Sequence, residues 1–270
     1  MTIDTIERSE YDGNPVEIYT LVRQTNVWRY TSADADQTVD GFLYVAYPIS
    51  RDKIGQSQEV ARGPINLKMS KSLPFLLPYR SSPPSSVTTL SIRRFHQGLA
   101  EYVTVWLGRV TNVKFGERDA EVRCEPVFTS LKRPALRRRY QTTCPHVLYG
   151  AQCSVERASF AVAATLIGTT GTVLTSPTFA LTEDGWFAGG YVDWTTDDGD
   201  VERRFIVDHV GEDITINLPF QGLVGTDDVV AYPGCDHMLQ TCHDKFDNED
   251  NYGGQPFYPD KNPMNGTPIF

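Results

Sequence analysis

Four of the five cysteines in the chain form two short pairs in its second half. The first pair is Cys144 and Cys153, with eight residues between them, and the second is Cys235 and Cys242, with six between them. Cysteine thiolates are ligands for zinc and for iron–sulfur clusters, and both kinds of centre commonly take four of them. The two pairs therefore supply the ligands of one four-thiolate metal site, provided that the fold brings them together.

The spacing leaves the occupant of such a site open. Zinc sites usually separate paired ligands by about two to four residues, and ferredoxin-type clusters use tighter runs than these. An iron–sulfur cluster is bulkier than a single zinc ion, so wide loops suit it better. From the residues alone, iron–sulfur and zinc are about equally favoured, and disulfides or free thiols are a less favoured alternative.

Other residues near the cysteines are expected to support the site. His146, His237 and His243 should hydrogen-bond to sulfur or pack beside it, because four thiolates already complete the ligand set. The fifth cysteine, Cys124, lies in a strand-like segment and is expected to be a small buried core residue. Cys144 with His146 could form the nucleophile and base of a hydrolase, but side chains two residues apart on a rigid loop rarely meet. Catalysis is therefore not favoured.

Length and hydropathy limit the class of protein. The 270 residues are enough for one large core or two modest ones, and we expect two. No apolar run approaches the roughly 20 residues of a membrane-spanning helix, and the first residues lack the pattern of a signal peptide. We therefore expect the protein to fold in a reducing cytoplasm, where paired cysteines are more often ligands or reactive thiols than disulfides.

Charge is distributed unevenly along the chain. Residues 1–143 contain 20 Lys and Arg against 15 Asp and Glu, whereas residues 144–270 contain 5 against 19. An acidic second half argues against general nucleic-acid binding there, and solubility explains it better than electrostatic docking between copies or partners. The basic run Arg137-Arg-Arg-Tyr140 lies at the expected domain junction, where a solvated linker is favoured over a partner or anion site.

Both halves are predicted to be rich in β structure. Val, Thr, Tyr and Phe are frequent, helical heptads are absent, and Gly and Pro punctuate the chain. In the first half, strands are predicted at 16–22, 28–31, 41–47, 66–70, 87–92, 102–110 and 120–127. The segments 28–31 and 41–47 are expected to form a hairpin. In the second half, strands are predicted at 160–167, 172–175, 186–194, 202–209, 214–218 and 228–232.

The predicted fold is mainly β, with two domains. Residues 1–136 form an N-terminal β-sheet or sandwich domain, and residues 137–270 form the domain that carries the cysteines. The short strands of the second half predict a small barrel-like β unit, over about residues 158–232, inserted between the two cysteine pairs. The Asn-, Gly- and Pro-rich residues after Cys242 are expected to form no regular element and to wrap over the site or dock on a neighbouring subunit.

Several motifs resemble a known family. The cysteines lie in Cys144-Pro-His-Val-Leu-Tyr-Gly150 and Tyr232-Pro-Gly-Cys235, and further motifs are Trp186-Phe-Ala-Gly-Gly-Tyr191, Glu202-Arg-Arg-Phe-Ile-Val207 and Asn251-Tyr-Gly-Gly254. Together they resemble a conserved family of phage tail-tip proteins. This family includes minor tail protein L of lambda-like siphophages and the iron–sulfur hub component of gene transfer agents. Residues 102–110 fit the family pattern more weakly.

The resemblance implies a structural subunit of the virion. It would be a baseplate-hub (tail-tip) protein, assembled in the host cytoplasm as a ring of three between the distal tail protein and the central hub or receptor-binding protein, with the tape measure protein as a further neighbour. Neither membrane contact nor direct nucleic-acid binding is expected. It also implies a [4Fe-4S] cluster, with zinc as the less favoured occupant, on Cys144, Cys153, Cys235 and Cys242. Residues 248–252 are more charged than the family pattern, which is expected to alter a contact surface and not the cluster.

Two other classes of function remain open. One is a zinc-stapled glycan-binding adhesin, for which Trp186, Tyr191 and Trp194 would provide aromatic surface if they are exposed, although such aromatics are more often core or interface residues. The other is a redox or nucleic-acid enzyme that carries the cluster, but no catalytic residues beyond the thiolates are evident. We expect the cluster to be structural, stapling the two ends of the inserted β unit, and the protein not to be an enzyme.

Overall fold

The computed structural model describes residues 6, 15–55, 63–80, 82–96, 101–132, 134 and 138–257. The chain divides into two compact units: unit 1 is Met1–Arg133 with Asp197–Asp200, and unit 2 is Pro134–Thr196 with Val201–Phe270. The predicted boundary between residues 136 and 137 falls outside the described residues. Strands dominate both units, which confirms the prediction of a mainly β protein. In the described part of the chain, no helix is long and apolar enough to cross a membrane.

Unit 1 is built on one sheet whose strands lie in the order β3-β4-β2-β1-β7-β8-β9-β6-β5. Neighbouring strands are antiparallel except β2 and β4, which are parallel. The strands are β1 (Pro15–Arg23), β2 (Asn26–Thr31), β3 (Gln37–Val39), β4 (Phe42–Ala46), β5 (Ser50–Arg51), β6 (Ile65–Ser70), β7 (Thr89–His96), β8 (Tyr102–Phe115) and β9 (Asp119–Pro126).

The alternation of side chains along β1 explains its central place in this sheet. Tyr19 and Leu21 point to one face and join the main core of unit 1, while Val16 and Ile18 point to the other and join a smaller cluster. The main core also contains Cys124, which is fully buried as predicted. Burial raises the pKa of the Cys124 thiol to about 12, so this cysteine is an inert core residue.

The pKa of Glu17, in β1 of unit 1, lies well below its ordinary value. The Glu17 carboxylate accepts hydrogen bonds from Arg51 Nε at 2.7 Å, Arg94 NH2 at 3.0 Å and the Tyr19 hydroxyl at 2.9 Å. Burial alone would raise the Glu17 pKa, but these hydrogen bonds outweigh it and lower the pKa to about 2. The carboxylate therefore stays ionised between two guanidinium groups.

The predicted hairpin between residues 28–31 and 41–47 is wrong. β2 and β4 pair in parallel, with Tyr30 opposite Val45, and the hairpin partner of β4 is the three-residue strand β3. The turn between β3 and β4 is Asp40-Gly41, with both residues at positive φ, which is the geometry that favours tight hairpins. A strand this short carries too little alternation to be recognised in the sequence.

Unit 2 contains a curled sheet with strands in the order β10-β16-β13-β14-β15-β12-β11. Only Leu166 and Ile167 separate β10 from β11, and their N–H groups donate to Asp227 O at 3.0 Å and Thr175 O at 2.9 Å. The chain at one edge of the sheet therefore continues into the other edge, which produces a barrel-like unit. The strands are β10 (Val162–Thr165), β11 (Gly168–Thr170), β12 (Val173–Thr175), β13 (Tyr191–Thr195), β14 (Val201–Val210), β15 (Asp213–Ile216) and β16 (Asp228–Tyr232).

Two segments next to the cysteines depart from the predicted structure. The strand predicted at 186–194 begins only at Tyr191, because residues 186–190 form turns against which the second cysteine segment packs. An eight-residue helix, α1 (Leu239–Phe246), carries Cys242, and a 3₁₀ turn follows at Glu249–Asn251. The expectation of no regular element after Cys242 is therefore wrong for the end of α1 and for this turn. The helix buries Cys242 and Phe246, four residues apart on one face.

Candidate metal centre

All four paired cysteines line one pocket in unit 2. Cys153 and Cys242 are buried, and Cys144 and Cys235 are partly buried. Leu148, Val155 and Phe246 are among the other lining residues, which makes the surroundings apolar; the remaining ones are His146, His237, Met238, Asn248, Asn251 and Tyr252. The fold thus brings together the four residues that the sequence predicts for one site.

The first pair is carried by a tightly turned loop. A hydrogen bond from Gly150 N to Val147 O at 3.0 Å closes its turn, and Ser154 N donates to Gly150 O at 2.9 Å. Tyr149 and Ser154 adopt left-handed backbone conformations, with φ of 60° and 59°. These turns fold the chain back within ten residues, so that Cys144 and Cys153 face the same pocket.

The second pair joins a turn to a helix. Cys235 begins a turn through His237, whose φ is 65°, and α1 starts directly afterwards and carries Cys242 on its buried face. The two pairs are also connected by the main chain, since Cys144 N donates to His237 O at 2.8 Å. The segments that hold the cysteines are therefore fixed to one another by backbone hydrogen bonds.

N–H groups are directed at three of the four sulfur atoms. His237 N donates to Cys235 Sγ at 3.3 Å, Gly253 N donates to Cys144 Sγ at 3.4 Å, and Asn248 Nδ2 lies 3.7 Å from Cys153 Sγ. Hydrogen bonds of this kind stabilise thiolates and tune iron–sulfur centres. The fourth sulfur, that of Cys242, lies 3.2 Å from Asn248 O and donates as a thiol. The donor set fits four thiolates that bind a metal centre.

Two of the four thiols resist ionisation in the pocket. Burial is the main cause that raises the pKa of Cys242 to about 11, and negative charge on the other cysteines adds to it. The pKa of Cys235 is also raised, again chiefly by burial. The thiols of Cys235 and Cys242 therefore keep their protons at neutral pH until cations displace them.

In the described part of the chain, no group of three or more His, Cys, Asp and Glu side chains is arranged to hold a metal ion. The four cysteines line one pocket, and a metal centre there would have to draw their side chains together around it.

A closing segment, which we define as residues 248–255, lies across the pocket. Besides the three sulfur contacts already given, the Tyr252 hydroxyl donates to Thr142 O at 2.6 Å, and Gln255 N donates to Gln141 O at 2.8 Å. His146 Nδ1 bonds to Asn251 O at 3.0 Å. The prediction that the residues after Cys242 wrap over the cysteine site is correct for this segment.

Two glycines let the β unit approach the second cysteine segment closely. A Cβ on Gly190 would lie 2.0 Å from Tyr232 O, and a Cβ on Gly234 would lie 2.1 Å from Ala188 O and 2.3 Å from Gly190 N. The backbones of residues 188–190 and 232–234 are therefore in direct contact, with no room for a side chain between them. This contact explains why the motifs Gly189-Gly190 and Pro233-Gly234 occur together in the chain.

Lys245 and the two ion pairs of Asp193 add to the contact between the β unit and the segments beside the cysteines. Lys245 Nζ donates to Gly234 O at 2.8 Å and lies 4.5 Å from the ring centre of Trp186, and burial lowers the Lys245 pKa to about 8. Asp193 of β13 is buried and binds Arg157 at 2.7 Å and Arg203 at 2.6 Å. These contacts join the segments beside the cysteines to the wall of the β unit.

Two of the three histidines lie beside the cysteines as expected, since His146 and His237 line the pocket. Among the three histidines, His237 alone bonds to a sulfur atom in the described structure, and it does so through its main-chain N–H. The ring of His146 instead bonds to Asn251 O and to Arg138 NH2, at 3.0 and 3.2 Å. His243 is on the surface, where its hydrogen bond to Asp244 raises its pKa. Sequence reasoning selected the histidines and missed Asn248 and Gly253, because an amide and a glycine are not recognisable as sulfur donors without the fold.

The three aromatics considered for glycan binding do not form an exposed surface. Trp194 is buried in the core of the β unit, and Tyr191 packs against Tyr149 and Tyr232. Trp186 is partly buried, packs against the same core and has Lys245 over its ring. The alternative interpretation of these residues, as core and packing residues, is therefore correct.

One protein-family model matches part of the chain. Residues 185–262 match the model of a family described as "Phage conserved hypothetical protein BR0599". The matched segment includes Cys235 and Cys242 but begins well after the first cysteine pair. No curated protein is similar enough to the chain to count as a match.

A solved structure shares the fold over nearly the whole chain. A chain of the structure described as "Virion of native gene transfer agent (GTA) particle" aligns with a TM-score of 0.82 and 19% sequence identity. The alignment covers 99% of this chain and 95% of that chain. At this identity the likeness shows that the two chains have the same fold.

Proposed function

We propose that the protein is a structural subunit of a phage or gene transfer agent particle, in which four cysteines hold an iron–sulfur cluster. The observation that carries the proposal is the shared pocket of Cys144, Cys153, Cys235 and Cys242, with N–H groups directed at three of the sulfurs. The fold in common with a chain of a GTA virion, and the phage family that matches residues 185–262, support the particle as its place.

The cluster we propose is [4Fe-4S]. When bound, such a cluster would supply iron–thiolate bonds to both cysteine pairs at once. The resemblance to the tail-tip family, which implies this cluster on the same four cysteines, favours it over zinc, and hydrogen bonds to sulfur are common at such clusters. The residues of the chain itself provide the apolar walls, the donors to sulfur and the closing segment that lies across the pocket.

The role of this centre is architectural in our proposal. The inserted β unit leaves the site after Cys153 and returns at Cys235, so the two pairs stand at its two ends. Ligation of both pairs restricts the unfolded chain across this long loop, and the binding free energy becomes folding free energy. With a cysteine for each of the four irons, no position is left for a substrate, which disfavours an enzyme.

The finer position in the particle follows the family resemblance. We place the subunit at the tail tip as a baseplate-hub protein, in a ring of three copies, between the distal tail protein and the central hub or receptor-binding protein, with the tape measure protein nearby. In such a ring the subunit would contact further copies of itself and other virion proteins.

Particle assembly tests this proposal. Particles purified from a producing strain should contain the protein, and labelling of a C-terminal tag should mark one end of the tail. A strain that makes Cys235→Ser should yield few complete particles, whereas one that makes Cys124→Ala should yield normal numbers. Absence of the protein from purified particles, or normal assembly with Cys235→Ser, would refute the structural role. A reaction catalysed by the purified native protein and lost in Cys235→Ser would instead support the enzyme alternative.

A further inference from the structure

Asn248 lies where the two cysteine pairs meet, and it bonds to one cysteine of each pair. Its side-chain Nδ2 donates to Cys153 O at 2.7 Å and lies 3.7 Å from Cys153 Sγ. Its main-chain N donates to Cys242 O at 3.1 Å, and its main-chain O accepts from Cys242 Sγ at 3.2 Å. A single residue thus connects the loop of the first pair to the helix of the second.

The Asn248 side chain is held in one orientation. Asn251 Nδ2 donates to Asn248 Oδ1 at 2.7 Å, so the amide oxygen is occupied and the Nδ2 group faces Cys153. Asp247, with a left-handed φ of 47°, turns the chain at the end of α1 and brings Asn248 back toward the pocket. The amide is therefore positioned by the fold before any metal arrives.

We infer that Asn248 is the positioning residue of the four-cysteine site. In the metal-free protein it ties the first cysteine loop to α1, so that both cysteine pairs are held beside one pocket. In the loaded protein its second N–H would be directed at the Cys153 thiolate and would draw electron density from that sulfur. The second part rests on the proposed function, and the first part does not.

Hydrogen exchange of the metal-free protein tests the first part. Asn248→Leu keeps a similar size and removes the amide, and Asn217→Leu is the matched control, because Asn217 is exposed and its Oδ1 accepts from Phe205 N at 3.1 Å, in the β unit. Loss of the bonds should speed exchange about tenfold in residues 144–153 and 252–255, relative to the control. If exchange becomes faster only in residues 239–248, Asn248 merely stabilises the end of α1 and the inference is overturned. Unchanged exchange would also overturn it.

A milder variant guards against misfolding. Asn251→Ala frees the Asn248 side chain and leaves its donors in place, so it should speed exchange in the same two segments by a smaller factor. If Asn248→Leu is unfolded by circular dichroism, this variant decides the question. No change in Asn251→Ala would then overturn the inference.

The reduction potential of the iron-loaded protein tests the second part. Asn248→Leu should keep the visible absorption and shift the potential to a more negative value, because the Cys153 sulfur loses a hydrogen bond. An unchanged potential would refute this part. If the native protein binds no iron, the proposed function fails, and the exchange result in the metal-free protein still decides whether Asn248 holds the two pairs together.

Discussion

Replacing Gly234 with alanine should separate the second cysteine segment from the β unit. The added methyl would lie 2.1 Å from Ala188 O, 2.2 Å from Gly189 C and 2.3 Å from Gly190 N, where real Cβ atoms essentially never come within 3.0 Å. All three contacts are backbone atoms, which cannot rotate away as a flexible side chain can. The backbone must therefore move by roughly 1 Å, and we expect a loss of about 3 kcal/mol in the free energy of unfolding, at the upper end for overpacked sites.

Gly168→Ala is the matched control for this substitution. A Cβ on Gly168 has no atom within 4 Å, and its backbone is not in the left-handed region. Its effect should therefore stay within about 0.5 kcal/mol. Urea unfolding followed by circular dichroism measures both variants, with iron content measured in parallel. If Gly234→Ala costs no more than Gly168→Ala and retains all its iron, the close packing between the β unit and the cysteine segment is refuted.

Two further predictions concern the cysteines and a carboxylate of unit 1. Cys235→Ser should lose the iron and the visible absorption, whereas Cys124→Ala should keep both, because Cys124 is buried in the core of unit 1; equal iron in the two variants would contradict the assignment of the ligands. Glu17 has a pKa of about 2 in the folded protein, below its ordinary 4.5, so its stabilising effect is present above pH 4.5 and is lost as the pH falls toward 2. Glu17→Gln should reduce the pH dependence of the free energy of unfolding between pH 2 and 4.5, as measured by urea unfolding at several pH values. If the free energy of unfolding depends on pH as steeply in Glu17→Gln as in the native protein, the role of the Arg51 and Arg94 hydrogen bonds is refuted.

Much of the β structure could be predicted from local pattern. β1 and β9 alternate clearly and both pack residues on the main core of unit 1, and each lies within one or two residues of its predicted ends. The strand β3 and the helix α1 were missed because each is short, and its place is fixed by pairing or packing with distant residues. The parallel pairing of β2 with β4 depends on the same distant contacts.

The candidate site could likewise be predicted only in part from the sequence. Cysteine count and spacing single out the four residues that share the pocket, since thiols are rare and their chemistry is specific. Asn248 and Gly253 bond to sulfur only because the closing segment returns across the pocket, and Gly190 and Gly234 matter only because two backbones meet there. These roles arise from tertiary contacts that no local pattern encodes. The extra charge of residues 248–252 was expected to alter a contact surface. The same segment contains Asn248, which bonds to one cysteine of each pair.

Iron and sulfide analysis of the native protein, purified without oxygen, tests the central claim most directly. We predict a brown protein with broad visible absorption that contains about four irons and about four acid-labile sulfides per chain. A colourless protein with about one zinc per chain, or with no metal and four free thiols at the paired cysteines, would contradict the proposed cluster.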